Sequence, residues 1–460
     1  MVHTHLKGEP VNNDDFNDLL LLRLDLLAAI DASGSADSPV LISYATLQPD
    51  QLSSLPYLLH KPQPLHALDL DIADCIISLE KNLDIHAATG KKTLTDQERA
   101  ILISVTKAST AEAQDSLDEL KELARTAGLL VLDAVIQRPR QFSPNLLMGE
   151  GKMREVVIMA LQRGATMLVF DQELSPTQAR SISNMTELKV IDRSQLILDI
   201  FARRAHSLDG KVQVELAQLK YLLPRLTGQG IQMSRLMGGI GGRGPGETKL
   251  ELDRRRIRAR ITKLEHQLAD LSAHRYQRRQ KRIKAGLPII SIVGYTNAGK
   301  STLLNTLTQS DVLTENLLFA TLDTSTRRLR FPMEREVIIT DTVGFIRSLP
   351  ESLMGAFKAT LEELNDADLL LHVVDCTNPR FHEQIKEVET ILNDLGLGDK
   401  ETLLIFNKAD KLSELKLNDP LSFMKTKYST KNLGAYLITA IDKKSLNPLL
   451  EQLQKRFWTE

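Results

Sequence analysis

Cysteine is almost absent from this 460-residue chain: only Cys75 and Cys376 occur, far apart and with no His or Cys at zinc-ligand spacing. That excludes a disulfide framework and a Cys-based zinc module, and it suits a reducing compartment in which both thiols pack as small apolar groups. No apolar run approaches the roughly 18 residues of a membrane span, and the first residues lack the charged and apolar regions of a signal peptide. Membrane insertion is therefore not expected, and the cytoplasm is the expected location. One-sided charge is missing too. Lys and Arg number 58 against 59 Asp and Glu, so any nucleic-acid surface must be local. Aromatic residues make up 4% of the chain, which leaves few platforms for base stacking.

What is present, 42% hydrophobic residues over this length, implies about three domains. The most informative stretch is Gly294-Tyr295-Thr296-Asn297-Ala298-Gly299-Lys300-Ser301, which follows the β-branched run Ile289 to Val293 and leads into Thr302 to Leu307. Strand, glycine loop and helix in that order make a phosphate-binding loop. Its backbone N–H groups and the helix dipole face phosphate oxygens, Lys300 is expected to reach the β- and γ-phosphates, and Ser301 to ligate Mg2+.

Four further stretches follow at matching intervals. Phe319-Ala320-Thr321-Leu322-Asp323 places Thr321 twenty residues beyond Ser301, where a threonine completes the Mg2+ shell and senses the γ-phosphate. Val337 to Thr340 reads as a strand ending in Asp341-Thr342-Val343-Gly344. Asp341 is expected to hold Mg2+ through water and the Gly344 N–H to meet the γ-phosphate. After a strand at Leu369 to Asp375, another at Leu403 to Phe406 ends in Asn407-Lys408-Ala409-Asp410. The Asp410 carboxylate accepts N1–H and N2–H of guanine, whereas adenine offers a repelling lone pair, so the substrate is expected to be GTP. Thr439-Ala440-Ile441 ends the last strand, where a backbone N–H contacts the guanine O6. Lys300, Thr321 and Gly344 are the groups expected to act on the transferred phosphate, with Ser301 and Thr321 as direct metal ligands.

Upstream, residues 1–125 read as an accessory region. Leu19 to Ile30 is a Leu-rich helical run, Pro39 to Tyr44 a strand, and 96–127 a helix with Thr95 as N-cap and Glu98 in the capping-box position. His3-Thr4-His5, followed by Asn12 and Asp15, faintly resembles the His-x-His and Ser-x-x-Asp pattern of JAMM-type metalloproteases. The spacing is irregular, Asn12 replaces the Ser, and nothing upstream of Met1 supplies that family's catalytic Glu, so a fold element rather than a working metal site is expected. Residues 126–208 alternate strand and helix as a small parallel α/β domain. Within it Gly149-Glu150-Gly151-Lys152 lacks the second glycine at Walker spacing and the Ser/Thr of a phosphate loop, and reads as a turn.

Residues 209–286 carry apolar stripes at Val212, Leu216, Leu219, Leu223 and Leu226, and again from Leu250 through Ile257, Ile261, Leu264, Leu268 and Leu271. Two such stripes make an antiparallel helical hairpin, with Pro224 kinking or ending its first helix. Between them Gly228 to Glu247 holds eight glycines, and the second helix adds Arg254, Arg255, Arg256, Arg258 and Arg260. A loop this costly to order, next to such a density of guanidinium groups, favours contact with nucleic-acid phosphates over a solvated spacer. Residues 287–460 form the nucleotide domain.

The order and spacing of the five nucleotide stretches resemble the small GTPases, and the finer pattern resembles the HflX family of TRAFAC-class translational GTPases. The resemblance covers residues 125 to 460 and rests on Gly238 to Glu247, Leu252 to Arg255, Asp192 to Phe201 and Phe319 to Asp323. It implies a Ras-like α/β P-loop domain preceded by a small α/β domain and a helical arm, and a monomer that binds rRNA and proteins of the large ribosomal subunit. It also implies a GTPase that times association and release, tied in some relatives to ribosome splitting after stress. Phe345 stands where many GTPases carry the glutamine that orients water, so hydrolysis is expected to be slow without help. The help is either a partner or K+, since Asn297 resembles the asparagine of potassium-activated relatives; the alternative is that Asn297 bonds only within its loop.

Overall fold

A computed structural model describes residues 1–6, 8–12, 15–16, 18–19, 24–33, 39–47, 57–81, 97–226, 245–284, 286–308, 318–319, 325–333, 335–342, 344–347, 362–412 and 434–458. The chain forms two compact units, Met1–Asp192 and Arg193–Glu460.

The first unit opens with strands β1 (Val2–His5), β2 (Leu26–Asp31), β3 (Leu41–Leu47) and β4 (Tyr57–Pro64) in one sheet of that order. β1 runs parallel to β2, and β3 is antiparallel to both β2 and β4. The helical reading of Leu19 to Ile30 is corrected here, because Leu26 to Ile30 pair on both edges. A leucine run is compatible with helix or buried strand, and partners on both sides decide for strand.

A second sheet follows from β5 (Arg99–Val105), β6 (Leu130–Gln137), β7 (Met167–Phe170) and β8 (Lys189–Asp192), all parallel, in the order β6-β5-β7-β8. Helices α1 (Thr110–Thr126), α2 (Glu150–Gln162) and α3 (Pro176–Ser183) connect its strands. The helix expected over 96–127 is corrected: its first part is β5. The working capping box lies later, where the Ser109 side chain accepts from the Glu112 N–H and the Glu112 side chain accepts from the Ser109 N–H. β5 and α1 thus come from residues read as accessory, and β5 is one of the two interior strands of the sheet. Such a strand is covered on both faces, which is why Ala100 to Ile103 are fully buried. At the other suspected phosphate loop, Gly149 precedes α2, and a Cβ added at Gly149 or Gly151 would meet nothing within 4 Å. Nothing approaches that backbone closely, and Glu150, Gly151 and Lys152 are the first residues of α2, so the stretch starts a helix rather than making the turn expected.

The second unit begins with α4 (Arg193–Arg204), α5 (Leu208–Arg225) and α6 (Pro245–Lys284). α5 and α6 form the hairpin, closed by Val212, Leu216 and Leu264 with Leu219, Ile261, Leu268 and Leu271 packed against them. A two-pronged ion pair from Arg260 to Glu215 (2.6 and 2.7 Å) and one from Lys220 to Glu265 (2.8 Å) flank the seam. Pro224 sits in the last turn of α5, where its missing N–H and ring end the helix within a residue. The glycine loop up to Gly244 lies outside the described residues.

The nucleotide domain is a six-stranded sheet of β9 (Ile289–Gly294), β10 (Ser325–Phe331), β11 (Arg335–Asp341), β12 (Leu369–Asp375), β13 (Thr402–Asn407) and β14 (Ala435–Leu437), ordered β10-β11-β9-β12-β13-β14. Only the β10/β11 pair is antiparallel. Helices α7 (Lys300–Thr308), α8 (Phe381–Asp394) and α9 (Asn447–Trp458) accompany it. Leu303, Leu304, Leu449 and Leu453 close over β9, β11 and β12. Of the two thiols, Cys376 is buried, donates to the Asn407 carbonyl at 2.8 Å, and is pushed up to about 12 by burial and then Asp375.

Candidate nucleotide-binding site

The carboxyl ends of β9, β11, β12 and β13 converge on one loop, the place where an open parallel sheet presents backbone to a ligand. Gly294 leaves β9 at φ +146°, and a Cβ there would lie 2.2 Å from the Val373 carbonyl oxygen of β12. Only glycine lets the loop leave the sheet at this point. Lys300 opens α7 and is 6% exposed, its Nζ donating to the Tyr295 carbonyl at 2.8 Å. Folded over its own loop, the ammonium waits at the mouth of the phosphate cradle. Burial pushes it down to about 8, against the opposing pull of Asp341. Beneath it on β12 lies the buried His372, whose imidazole burial and the Lys300 charge push down to about 3. A neutral ring there adds no competing positive charge.

Ser301 Oγ donates to Asp341 Oδ2 at 2.6 Å, and Asp341 is fully buried at the end of β11. Two hard oxygen groups this close to the phosphate loop fit Mg2+. Thr342 is buried and anchors to the Ile292 carbonyl at 2.7 Å. At Gly344 a Cβ would meet Lys300 Nζ and Thr296 Cγ2, each at 2.8 Å, so the backbone can approach a phosphate only without a side chain. Phe345 then pairs with the loop, donating to the Gly294 carbonyl (3.1 Å) and accepting from Thr296 N–H (2.7 Å). Its ring is buried and offers a water no polar group. Tyr295 adds a contact that sequence reading missed: its hydroxyl accepts from the Arg347 N–H at 2.5 Å.

Asn407 ties three expected stretches together. Its Nδ2 donates to the Ala298 carbonyl and its Oδ1 accepts from the Ala440 N–H, both at 2.9 Å. Lys408 takes a left-handed φ of 67° and pairs with Asp375 at 2.6 Å. Ala409 N–H donates to the Ile438 carbonyl, and Asp410 N–H to Thr439 Oγ1 at 3.2 Å. Asp410 is exposed. Ile441, also exposed, completes this rim. Asn297 is exposed at φ 60°. Phe319 is buried edge-on against Phe201 of α4, with centroids 4.6 Å apart. Ala320, Thr321, Leu322, Asp323 and Val343 lie outside the described residues.

Sequence reading took Asp192 to Phe201 only as a family motif, with no role for Arg193 or Phe201, and it missed His372 altogether. A histidine amid leucines and valines carries no signal until its neighbours are known.

The Lys300 environment sets a pH dependence. Phosphate favours the charged ammonium, so nucleotide binding is expected to take up a proton near pH 8, and affinity to fall by up to about tenfold per pH unit above it. Calorimetry in buffers of differing ionisation enthalpy checks this. Affinity constant between pH 7 and 9.5 would refute it.

Three family descriptions match in succession: "GTP-binding GTPase N-terminal" over residues 114–202, "GTP-binding GTPase Middle Region" over 204–282, and "50S ribosome-binding GTPase" over 289–408. The GTPase HflX of Caldanaerobacter subterraneus subsp. tengcongensis is 48% identical over 365 residues, spanning 79% of this chain and 82% of that one. The protein of the same name from Lacrimispora saccharolytica is 50% identical over 314 residues, 68% of this chain and 74% of that one. The one from Escherichia coli K12 is 44% identical over 319 residues, 69% and 75%.

Proposed function

This chain belongs to the HflX family of GTPases, and from that premise we propose that it binds GTP with Mg2+, associates with the large ribosomal subunit, and splits, rescues or helps assemble ribosomes. The single observation that carries the nucleotide part is the convergence on one phosphate loop of the Ser301–Asp341 pair, the Asn407 clasp and the exposed Asp410. Ser301 and Thr321 are assigned to the metal, which supplies charge neutralisation at the β- and γ-oxygens. Lys300 and the Gly344 N–H would hold the γ-phosphate, and Asp341 would hold Mg2+ through water. Asp410 reads the base, with the Ala440 and Ile441 backbone beside O6.

Phe345 leaves the attacking water without a side-chain partner, so turnover of the isolated protein is slow. A monovalent cation is one remedy. Turnover is expected to rise when Na+ is replaced by K+ at fixed ionic strength, if the Asn297 amide holds the ion. Asparagine is also favoured simply by left-handed φ. Asn297→Gly separates the two: it keeps the backbone and removes the amide, so potassium stimulation should vanish. Equal rates in the two salts would leave a partner as the source of activation.

The ribosomal part rests on the arm. Arg255, Arg256 and Arg258 are exposed on α6, whereas Arg260 is engaged by Glu215. Phosphate contacts release counterions, so binding should weaken steeply with salt. Replacing Arg255, Arg256 and Arg258 by alanine should flatten the log–log slope by about 2 to 3 and leave GTP affinity off the ribosome unchanged. Subunit pelleting together with phosphate release, with and without large subunits, tests the proposal. No stimulation by subunits, with binding intact, would favour the second reading that buried Phe345 supports: a GTP-dependent scaffold that barely hydrolyses.

A further inference from the structure

We propose that His3, His5 and Asp15 form a binding site for one zinc-class divalent transition-metal ion in the N-terminal sheet, remote in sequence from the nucleotide motifs. The sequence led to a bare fold element here, but folding gathers the three groups. His3 and His5 stand two apart on β1 and so share one face of the strand. Their Nε2 atoms are 2.9 Å apart; His3 Nε2 is 3.0 Å from Asp15 Oδ1, and His5 Nε2 is 3.5 Å from Asp15 Oδ2. Ligand atoms about 2.0–2.2 Å from a tetrahedral metal lie roughly 3.3 Å from one another. These separations, two of them to different oxygens of the Asp15 carboxylate, lie on either side of that value, and with one atom taken from each residue all lie within 4.8 Å of one another, so a metal enters with side-chain shifts.

The surroundings aim the donors. His5 Nδ1 lies 2.7 Å from the Glu9 carbonyl, which can only accept, so the proton resides on Nδ1 and the neutral ring presents a lone pair at Nε2. That is the outer-shell arrangement of metal-bound histidine. Asp15 is 7% exposed and held from behind: Oδ2 accepts from the Asn12 N–H at 2.8 Å, while the Asp15 N–H donates to Asn12 Oδ1 at 3.2 Å. Buried His3 Nδ1 finds no hydrogen-bond partner among the described atoms, so the polar contacts of that ring all lie on the Nε2 side. Beneath the cluster Val11, Phe16, Leu19 and Leu27 make a small core, which fixes both the strand and the Asp15 turn.

With the His5 Nε2 lone pair turned toward it, His3 can bridge the cluster through its Nε2–H, and a metal would stand where that proton does. Two imidazoles and one carboxylate suit zinc, cobalt or nickel rather than Mg2+ or Ca2+. No fourth His, Cys, Asp or Glu joins the group among the described residues, and the His3 side chain is 25% exposed. Among the described residues, then, nothing fills the fourth coordination position, which water or an exogenous ligand can take.

The test uses the full, metal-stripped chain and Co2+, with Zn2+ in competition. The expected result is one equivalent of Co2+ with the intense visible bands of a tetrahedral N/O site, displaced by Zn2+. An all-oxygen site at the phosphate loop would be octahedral and pale, and Ser301→Ala should not alter the tetrahedral signal. His5→Ala and Asp15→Asn should each weaken it by about 100-fold or more, beyond the usual cost of losing an outer-shell partner. Because those variants disturb a small core, a second measurement uses the unmodified chain: Zn2+ should protect His3 and His5 from diethyl pyrocarbonate, mapped by mass spectrometry. Absence of a tetrahedral Co2+ signal, the same signal in the variants as in wild type, or acylation of both histidines unaffected by Zn2+ would each overturn the proposal and leave a proton as the occupant.

Discussion

Asp410→Asn is expected to lower GTP affinity by about 10²- to 10⁴-fold and to admit xanthosine triphosphate. Two charge-assisted hydrogen bonds to guanine, at about 1.5–3 kcal/mol each, are at stake. The substitution removes the acceptor for N2–H and sets an amide N–H₂ against it. Xanthine carries a carbonyl at that position, which the amide can donate to and the carboxylate repels. The exposed carboxylate at the end of a loop clasped by Thr439 and Asn407 makes the change local, so the fold should persist. Competition between the two triphosphates decides it: an unchanged preference for GTP would mean that Asp410 does not read the base.

Gly294→Ala should be the more destructive lesion, because it acts on the sheet itself. The new methyl would lie 2.2 Å from the Val373 carbonyl oxygen, and that oxygen belongs to β12, which is paired on both sides. Overpacking of this kind costs about 1–3 kcal/mol, and a non-glycine residue in a sparsely allowed backbone region another 1–3. Against the 5–15 kcal/mol typical of a domain, the loss should appear as a lower guanidinium midpoint and as failure to retain nucleotide. Gly151→Ala is the counterpart. Its methyl meets open space, so nucleotide affinity should be untouched. Equal stability of wild type and Gly294→Ala would mean that the two strands part more easily than their pairing implies.

The nucleotide domain was legible because its signals are local: four of its five motifs stand at the end of a strand that its own residues announce, although β10 and the strand order were not read. The first unit up to β5 was not, for the same reason. Thr95-x-x-Glu98 and Ser109-x-x-Glu112 are equally good capping boxes on paper, and Ile101 to Val105 fits a helix until β6 and β7 line up on either side of it. Leu26 to Ile30 was misjudged likewise, since pairing with β1 and β3 outweighs leucine's helical preference. The convergence of His3, His5 and Asp15 depends on how residues between strand and turn return the chain, which spacing cannot give. His372 and Tyr295 were invisible for a different reason: their roles arise only from Lys300 and Arg347 across the sheet.

Helix α4 touches both segments that flank the γ-phosphate position: Phe201 packs on Phe319, and Arg193 donates to the Arg347 carbonyl at 3.2 Å. A helix gripping both cannot be energetically silent when either moves. If GTP and GDP hold Phe319 and Arg347 differently, part of the difference between their binding free energies is carried by α4. Reciprocity then applies. A partner that grips α4 tenfold more tightly in one nucleotide state raises the affinity for that nucleotide tenfold, a coupling of about 1.4 kcal/mol. Under that condition nucleotide exchange would answer to a partner that grips α4.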